Sequence, residues 1–196
     1  MYFDKHTIYF RPASEDDAAD LLAIYRYYVE KAAVTFEWAM PTVDEFQERI
    51  RHTLERYPYI VAESNGRILG YTYAGPLKDR KAYDWSVETT IYLDHTIRHQ
   101  GLGSQLYLQL EQVLKQMHVL NLYACIAVPK ENDDAYLTDD SERFHAHLGY
   151  STIGTFHDCG YKFERWYDMI WMEKMIGEHD CHPAEIIPFR EIQTLS

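Results

Sequence analysis

Strand-like and helix-like segments follow one another in a definite order along the 196 residues of this chain. From the amino end the order is β-α-α-β-β-β-α-β-α-β-β. This alternation predicts an α/β (or α+β) fold, a mixed central sheet of about seven strands with helices on both faces. Because this length supports one hydrophobic core and not two comfortable ones, we expect a single domain with a tail.

Local signals place the segments of the first half. Ser14 with Asp17, and Thr42 with Glu45, have the spacing of capping boxes that open helices. The dipeptide Asn65-Gly66 joins two strand-like runs, and its tolerance of positive φ predicts a tight hairpin. We therefore predict helices from about Ala18 and Pro41, and strands over Thr7–Ala13, Tyr59–Glu63 and Ile68–Ala74.

The second half carries longer periodic segments. We predict helices over Gly101–Met117 and Ser141–Leu148, and strands over Trp85–Leu93, Leu122–Val128, Tyr150–Phe156 and Tyr161–Met172. Because Leu122–Val128 is almost wholly apolar, we expect burial on both of its faces. Apolar periodicity fades after Ile176, which predicts a domain over 1–176 and a tail over 177–196 that lies on the surface or on a second subunit.

Charge and hydropathy exclude several classes of protein. A formal net charge of -12 opposes binding to a phosphate backbone. No apolar stretch approaches the roughly 20 residues of a membrane-spanning helix, and the amino terminus lacks the pattern of a secretory signal. We therefore expect a cytoplasmic protein with neither nucleic acid nor a membrane as a partner.

Cysteine and histidine placement argues against a metal or disulfide framework. Cys125, Cys159 and Cys181 are odd in number and unpaired in spacing, so we expect reduced thiols. His179–His182 contains metal-ligating residue types, but one short cluster lacks the spacing of a closed zinc site. No metal is expected.

A glycine-containing turn, Arg98-His99-Gln100-Gly101-Leu102-Gly103, lies between a predicted strand and the long amphipathic helix. Glycines let the backbone approach a ligand, and free N–H groups at a helix start bind phosphate. Taken alone, the pattern fits a structural turn as well as an anion site. No Gly-Lys-Ser/Thr follows and the third glycine of a dinucleotide fingerprint is missing, so neither of those motifs is present.

This turn resembles the signature of the GNAT acetyltransferase superfamily, which Arg98, Gly101 and Gly103 match residue for residue. The resemblance extends from about Ile8 to Met172 and is closest to the phosphinothricin and methionine sulfone N-acetyltransferase branch. Further similar segments are Ile8–Ala13, Gly75–Tyr83, Val87–Glu88, Phe144–Tyr150 and Gly160–Asp168. The resemblance implies a GNAT fold, acetyl-CoA as cosubstrate and a homodimer.

The resemblance also implies which residues hold acetyl-CoA. The glycine turn would bind the pyrophosphate, and the preceding strand would hydrogen-bond the pantetheine arm through its backbone. The implied cofactor-binding residues are Ile91, Tyr92, Leu93, Arg98, His99, Gln100, Gly101, Leu102, Gly103, Ser104, Asn132 and Ser141. The last two usually lie close together in the family, whereas Asp133–Asp140 separates them here.

Glu88 resembles the glutamate treated as general base in this branch. A carboxylate with an ordinary pKa near 4.3 is far below an ammonium, so Glu88 must be desolvated, act through water or orient the amine. A surface strand glutamate is the alternative. The functional interpretation is favoured because Ser86 and Thr90 make this face polar, while Val87 and Ile91 face the core.

His145 stands where many GNAT enzymes carry a tyrosine that protonates the departing thiolate. With an ordinary pKa of about 6.5, histidine can perform either proton transfer. An ordinary helix histidine is equally compatible with the sequence.

The resemblance places Lys78, Arg80 and Tyr83 near an amino-acid acceptor, and Phe36 can wall its pocket. A solvated loop charge for Lys78 and lid packing for Phe36 are equally compatible with the sequence. A fork-shaped guanidinium suits a carboxylate, which makes Arg80 the favoured contact. We therefore expect transfer of acetyl from acetyl-CoA to the primary amine of a small amino acid or analogue, such as phosphinothricin or methionine sulfone. The alternatives are acetylation of a protein amino terminus or lysine, or a CoA-binding module without catalysis.

Overall fold

The computed structural model describes residues 8–97, 100–131 and 133–192. The strands are β1 Tyr9–Pro12, β2 Tyr59–Ser64, β3 Arg67–Pro76, β4 Ser86–Leu93, β5 Asn121–Val128, β6 Ser151–Lys162 and β7 Arg165–Met175. The helices are α1 Ala18–Lys31, α2 Val43–Leu54, α3 Leu102–Gln116 and α4 Asp140–His147. In these ranges no helix has the length and apolar character needed to cross a membrane.

The seven strands form one mixed sheet in the order β1-β2-β3-β4-β5-β7-β6. β4 and β5 are the parallel pair, and the other neighbouring pairs are antiparallel. The chain order of helices and strands is the predicted one, so the α/β class and the mixed sheet are confirmed.

The predicted local signals are present in the folded chain. Ser14 with Asp17, and Thr42 with Glu45, form reciprocal capping boxes. Thr42 Oγ1 accepts from the Glu45 N–H at 3.2 Å, and the Thr42 N–H donates to Glu45 Oε2 at 2.7 Å. The turn at Asn65-Gly66 has φ of 52° and 73°, the left-handed conformation that the hairpin requires.

Helices cover both faces of the sheet. On one face α3 packs its apolar stripe, which includes Leu106, Leu110 and Leu114, against Leu122 and other buried strand residues. On the opposite face α1 and α2 pack against strand residues that are rich in tyrosine, Tyr59, Tyr71, Tyr73 and Tyr92, and α1 contributes Tyr25 to the same layer.

Two predictions about strands are wrong in detail. On β5, Leu122 and Ala124 are buried but Tyr123 and Cys125 are half-buried, so only one face lies wholly in the core. β6 continues to Lys162, and the turn to β7 is at Phe163-Glu164, with φ of 51° and 61°. β6 is an edge strand exposed through most of its length, so no apolar pattern marks where it ends.

The segment after β7 lies across the surface of its own domain. The Ile187 N–H donates to the Met117 carbonyl at 3.1 Å, and Trp85 Nε1 donates to the Ala184 carbonyl at 2.8 Å. Ile186 and Phe189 pack against the larger core while remaining half-exposed. This segment therefore joins the end of α3 to the start of β4.

Candidate functional site

The parallel strands β4 and β5 separate soon after they meet. They pair only through Ser86–Glu88 and Asn121–Tyr123, although each strand continues for five more residues. The separation opens a cleft through the sheet, with Glu88 at its inner end. A ligand in the cleft can therefore reach from the α3 side of the sheet to the α1 side.

Leu93 presents its backbone to this cleft. The Tyr28 hydroxyl of α1 donates to the Leu93 carbonyl at 2.7 Å and lies 3.4 Å from the Leu93 nitrogen. Since alternate residues of a strand direct their backbone groups to the same edge, Ile91 faces the cleft as well. Of the three predicted backbone contacts, Ile91 and Leu93 thus face an edge that no strand of the described residues covers, whereas the backbone of Tyr92 faces β3.

The glycine turn leads directly into α3. Gly101 is the residue before the helix and has φ of 77°, and its α-carbon faces open space. A Cβ added at Gly103 would lie 3.0 Å from Cε2 of Phe144, so this glycine allows α4 to pack closely on α3. Packing therefore explains the second glycine, and the positive φ explains the first.

The other predicted cofactor residues differ in their surroundings. Leu102 is buried, while Tyr92, Gln100, Ser104 and Ser141 are half-buried. The predictions for Arg98, His99 and Asn132 lie outside the described residues.

Glu88 is half-buried between two neighbouring strands. Its cross-strand neighbours are Gly75 on β3 and Tyr123 on β5. Burial raises the pKa of the Glu88 carboxyl, and the positive charge of Lys78 partly opposes that rise. Burial and the Glu88 charge together raise the pKa of the Cys125 thiol to about 12. Glu88 is thus a partly desolvated carboxyl, which is one of the three conditions that the sequence left open for its predicted role.

His145 lies on the opposite side of β4, buried against α3. Its Nδ1 lies 2.7 Å from the Ser141 carbonyl, and its Nε2 lies 2.8 Å from the Tyr107 hydroxyl. A carbonyl can only accept, so Nδ1 carries the proton and Nε2 accepts from Tyr107. Burial lowers the pKa of His145, which keeps the ring neutral. Both ring nitrogens are therefore occupied.

A hydrogen-bond network links His145 to the strands. Tyr107 also lies 3.3 Å from Thr89 Oγ1, which donates to the Tyr123 carbonyl at 3.1 Å. Thr89 and Tyr123 stand where β4 and β5 begin to separate. The network thus supports the inner end of the cleft from the α3 side.

The predicted acceptor residues are not all brought together. Lys78 is close enough to Glu88 to affect its pKa. Arg80 and Tyr83 are exposed on the loop between β3 and β4. Phe36 packs so closely on Gly160 that a Cβ there would overlap its ring. Phe36 is therefore held against the β6–β7 hairpin.

Sequence reasoning assigned no role to Lys162, although it lies in a segment that carries the resemblance. The side chain is 3% exposed, and Nζ donates to the carbonyls of Tyr28, Ala32 and Thr35 at 3.2, 2.9 and 2.7 Å. Burial lowers the pKa of Lys162 to about 8. Lys162 thus joins the hairpin to the carboxyl end of α1 and to the loop that carries Phe36.

Sequence reasoning also missed a cavity of about 220 Å³ on the Glu88 side of the sheet. We call it the tyrosine pocket; it is lined by Tyr25, Phe46, Arg49, His52, Thr53, Tyr59, Tyr71, Tyr73 and Tyr92. These residues come from α1, α2, β2, β3 and β4. No local pattern could have grouped them, because only the packing of α1 and α2 on the sheet brings them together.

This fold, with a cleft between two parallel strands and a glycine turn at a helix start, defines a class of protein. Residues 10–171 match the family model described as the acetyltransferase (GNAT) domain. The chain belongs to the GNAT acetyltransferase family, which confirms the resemblance seen in the sequence. It is an N-acetyltransferase.

Two relatives and one solved structure show which acetyltransferases this chain is similar to. The phosphinothricin N-acetyltransferase of Streptomyces viridochromogenes is 36% identical over 189 residues, which cover 96% of this chain and 98% of the relative. The L-methionine sulfoximine/L-methionine sulfone acetyltransferase of Salmonella typhimurium is 26% identical over 175 residues, which cover 89% of this chain and 98% of the relative. A solved phosphinothricin acetyltransferase from Sinorhizobium meliloti in complex with AcCoA superposes with a TM-score of 0.82 at 29% identity, over 93% and 97% of the two chains.

Proposed function

We propose that this enzyme transfers acetyl from acetyl-CoA to the α-amine of a small amino acid or analogue of the phosphinothricin and methionine sulfone type. The observation that carries the proposal is the half-buried Glu88, whose pKa is raised by burial, at the inner end of the cleft. The similar proteins named for these acceptors support the substrate class.

The residues of the cleft fit acetyl-CoA. Ile91 offers backbone groups at an edge that no strand of the described residues covers, which suits the amides of a pantetheine arm; the arm would take the place of the Tyr28 hydroxyl at Leu93. Gly101 leaves open space at the start of α3, where free N–H groups favour a pyrophosphate. We retain in the proposal the cofactor contacts that the resemblance implied for Arg98, His99, Gln100 and the other residues of the predicted set. Acetyl-CoA would supply the activated acetyl group.

Glu88 acts in the proposal on the acceptor amine. An ammonium cannot attack a carbonyl, so its proton must leave before the new N–C bond forms. Desolvation brings the pKa of Glu88 closer to that of the amine, and its remaining charge holds the ammonium beside the cleft. Glu88 therefore accepts one proton from the ammonium before the attack. As the N–C bond forms and the bond between acetyl carbon and sulfur breaks, the nitrogen's second proton passes to the departing thiolate.

The sequence left proton transfer and an ordinary helix histidine open for His145, and we propose a supporting role in place of direct proton transfer. Its Nε2 accepts from Tyr107 and its pKa is lowered, so it has no spare proton to give at neutral pH. We infer that His145 orients the Tyr107 hydroxyl beneath the start of the cleft. A pH profile of kcat that loses a limb in His145→Gln would contradict this role and favour direct proton transfer.

Most of the acceptor contacts of the proposal come from the loop that leads into β4, where Lys78 lies close to Glu88. Lys78 and Arg80 would attract the carboxylate of an amino acid. Tyr83 and Phe36 would cover the remainder of the acceptor. The exposure of Arg80 and Tyr83 leaves them accessible to a ligand that arrives from solvent.

Replacement of Glu88 tests the proposal. Glu88→Gln should bind acetyl-CoA with an unchanged Kd, because the proposed cofactor contacts are largely backbone groups and do not include Glu88. Its kcat should fall by roughly 10²- to 10⁴-fold, the usual contribution of a general base. Release of the free CoA thiol, followed across a panel of amino acids, sulfones, polyamines and peptides, measures both the rate and the acceptor class. A full rate in the variant at every pH would remove Glu88 from the mechanism.

We also propose that the enzyme is a homodimer. Along the edge strand β6, Ile153 and Phe156 are 50% and 53% exposed. Apolar side chains on an uncovered edge are a liability unless another surface covers them. Light scattering should give twice the chain mass at micromolar concentration. In Phe156→Lys the measured mass should fall towards that of a single chain. A monomer at high concentration would contradict the proposal. The cytoplasmic location expected from the sequence stays a prediction.

A further inference from the structure

The loop between β5 and α4 has no part in the proposed mechanism. Residues 133–139 connect the end of β5 that has separated from β4 to α4, which carries His145. We call this segment the β5–α4 loop. It also separates Asn132 from Ser141, which the resemblance would place close together. The loop is therefore additional chain beside the open end of the cleft.

Asp134 gives the β5–α4 loop a fixed shape and attaches it to β7. Its Oδ1 accepts from the N–H groups of Tyr136 and Leu137 at 2.8 and 3.0 Å. Its Oδ2 accepts from Arg165 at 2.9 Å, and the Asp134 side chain is only 8% exposed. Because hydrogen bonds to a carboxylate are strong, these contacts tie the loop to the first residue of β7.

Tyr136 supports the turn between β6 and β7. Its ring stacks on that of Phe163, with the ring centres 4.2 Å apart and an angle of 18° between the planes. The Arg165 guanidinium lies over the Tyr136 ring at 5.5 Å. Phe163 and Glu164 have φ of 51° and 61°, which residues with a side chain rarely adopt. The stack therefore stabilises a turn that the backbone alone disfavours.

The β5–α4 loop also holds the segment that carries Phe36. The Ala33 N–H donates to the Tyr136 carbonyl at 3.0 Å. Leu137 and Tyr167 are buried, and the Phe36 ring lies 6.1 Å from the Tyr167 ring, centre to centre. These side chains belong to one apolar cluster, which we call the wall cluster: Ala33, Ala127, Leu137 and Tyr167, with Phe36, Tyr136 and Phe163 packed against them.

Two parts of the structure consequently fix Phe36. On the β6–β7 hairpin, Gly160 leaves the ring the space that a Cβ would fill, and Lys162 Nζ donates to the carbonyl of Thr35, the residue before Phe36. The wall cluster adds the contacts that come from the β5–α4 loop. A side chain that is fixed before the acceptor arrives does not have to be ordered on binding, which lowers the free-energy cost of binding.

We propose that the β5–α4 loop positions the acceptor wall, with Tyr136 and Leu137 as positioning residues that hold Phe36 over the acceptor. Neither side chain touches the reacting atoms; each acts on the acceptor through the wall cluster. The inference rests on the proposed function, in which Phe36 covers the acceptor, and it adds two residues that set the affinity for the acceptor.

Leu137→Ala tests the wall cluster, with L-methionine sulfone as the acceptor. The KM for the acceptor should rise about fivefold, while kcat and the KM for acetyl-CoA stay within about twofold of the wild type. This split is expected because a displaced Phe36 weakens acceptor binding without moving Glu88. An equal rise in both KM values, or an unchanged acceptor KM, would overturn the proposal.

Tyr136 provides a second test that does not depend on a buried cavity. Tyr136→Ala removes the stack on Phe163 and should raise the acceptor KM in the same way as Leu137→Ala. Tyr136→Phe keeps the stacked ring and should restore the wild-type acceptor KM. Equal acceptor KM values in these two variants would contradict a role for the ring.

Phe189→Ala is the matched control. Phe189 is also a half-buried aromatic residue in an irregular segment, but it packs against the larger core, away from the wall cluster. Thermal unfolding should show a loss of stability in this variant, with both KM values unchanged. A raised acceptor KM in Phe189→Ala would show that general destabilisation is sufficient to produce the effect.

Phe36→Ala separates the two possible failures. If Leu137 acts through Phe36, Leu137→Ala should raise the acceptor KM by less than about twofold when Phe36 is already alanine. A full second increase in the double variant would show that the positioning role is wrong while the proposed function stands. If the wild type releases no CoA thiol with L-methionine sulfone or any other small amino acid of the panel, the proposed function itself fails, and the inference fails with it.

Discussion

Glu88 shows how burial links reactivity to stability at one residue. Because burial raises its pKa, the folded chain holds the Glu88 proton more tightly than the unfolded chain does. The ionised carboxylate consequently destabilises the fold above the ordinary pKa of about 4.3. Glu88→Gln should therefore unfold at a higher temperature than the wild type at pH 7, with no difference below about pH 4. Thermal unfolding at both pH values measures this, and a less stable variant at pH 7 would contradict it.

Lys162 is the other residue whose burial has functional consequences. Lys162→Met keeps the length of the side chain but leaves three carbonyl oxygens without their donor. We expect a loss of about 2–4 kcal/mol in unfolding free energy. The acceptor KM should rise several-fold while the acetyl-CoA KM stays constant, because the loop that carries Phe36 loses its attachment. Urea denaturation and steady-state kinetics measure both.

The control for Lys162 is another lysine of the same hairpin. Lys174 is half-buried and pairs with Glu111 at 2.5 Å, but Glu111 keeps Lys115 as a second partner at 2.9 Å, so Lys174→Met should cost only about 1 kcal/mol. The pKa of Lys162 gives a further check. The unfolded chain binds more protons between pH 8 and 10.5, so the wild type should gain stability relative to Lys162→Met as the pH rises through that window. A constant difference would argue against a perturbed Lys162.

At the scale of elements, the contact between α3 and α4 depends on one glycine. Gly103→Ala would place a Cβ 3.0 Å from the Phe144 ring, so this ring of α4 must give by a few tenths of an ångström. We expect a destabilisation of about 1–3 kcal/mol and an increased KM for acetyl-CoA, because the start of α3 lines the cleft. Gly101→Ala has open space but a φ of 77°, so it tests backbone strain alone, about 1–2 kcal/mol. Unchanged stability in Gly103→Ala would contradict this prediction, because it would show that the Phe144 ring moves aside at no cost in free energy.

The whole molecule includes the segment after β7. Ile186, Phe189 and Ile192 are half-buried against the core of the domain. A chain ending at Ile176 should keep its kcat but lose about 2–4 kcal/mol in unfolding free energy, from the apolar area that these side chains no longer bury. Chemical denaturation of the truncated chain measures the loss. A large fall in kcat would instead assign this segment to the active site.

Local sequence determined much of the fold. The capping boxes, the Asn65-Gly66 hairpin and the helical period of α3 depend on contacts within a few residues, so their patterns are visible along the chain. The resemblance of the glycine turn and other segments to the GNAT superfamily predicted the family and the role of Glu88 as general base. The end of β6 was not predictable, because an exposed edge strand has no apolar alternation to mark it.

Tertiary structure decided what no local pattern contains. The cleft exists because β4 and β5 pair over only three residues before they diverge, and the tyrosine pocket exists because two helices pack on three strands. Lys162 meets its carbonyl partners more than a hundred residues away along the chain. Burial and pKa shifts arise from these distant contacts, since desolvation depends on what surrounds a group in space and not on its neighbours in sequence.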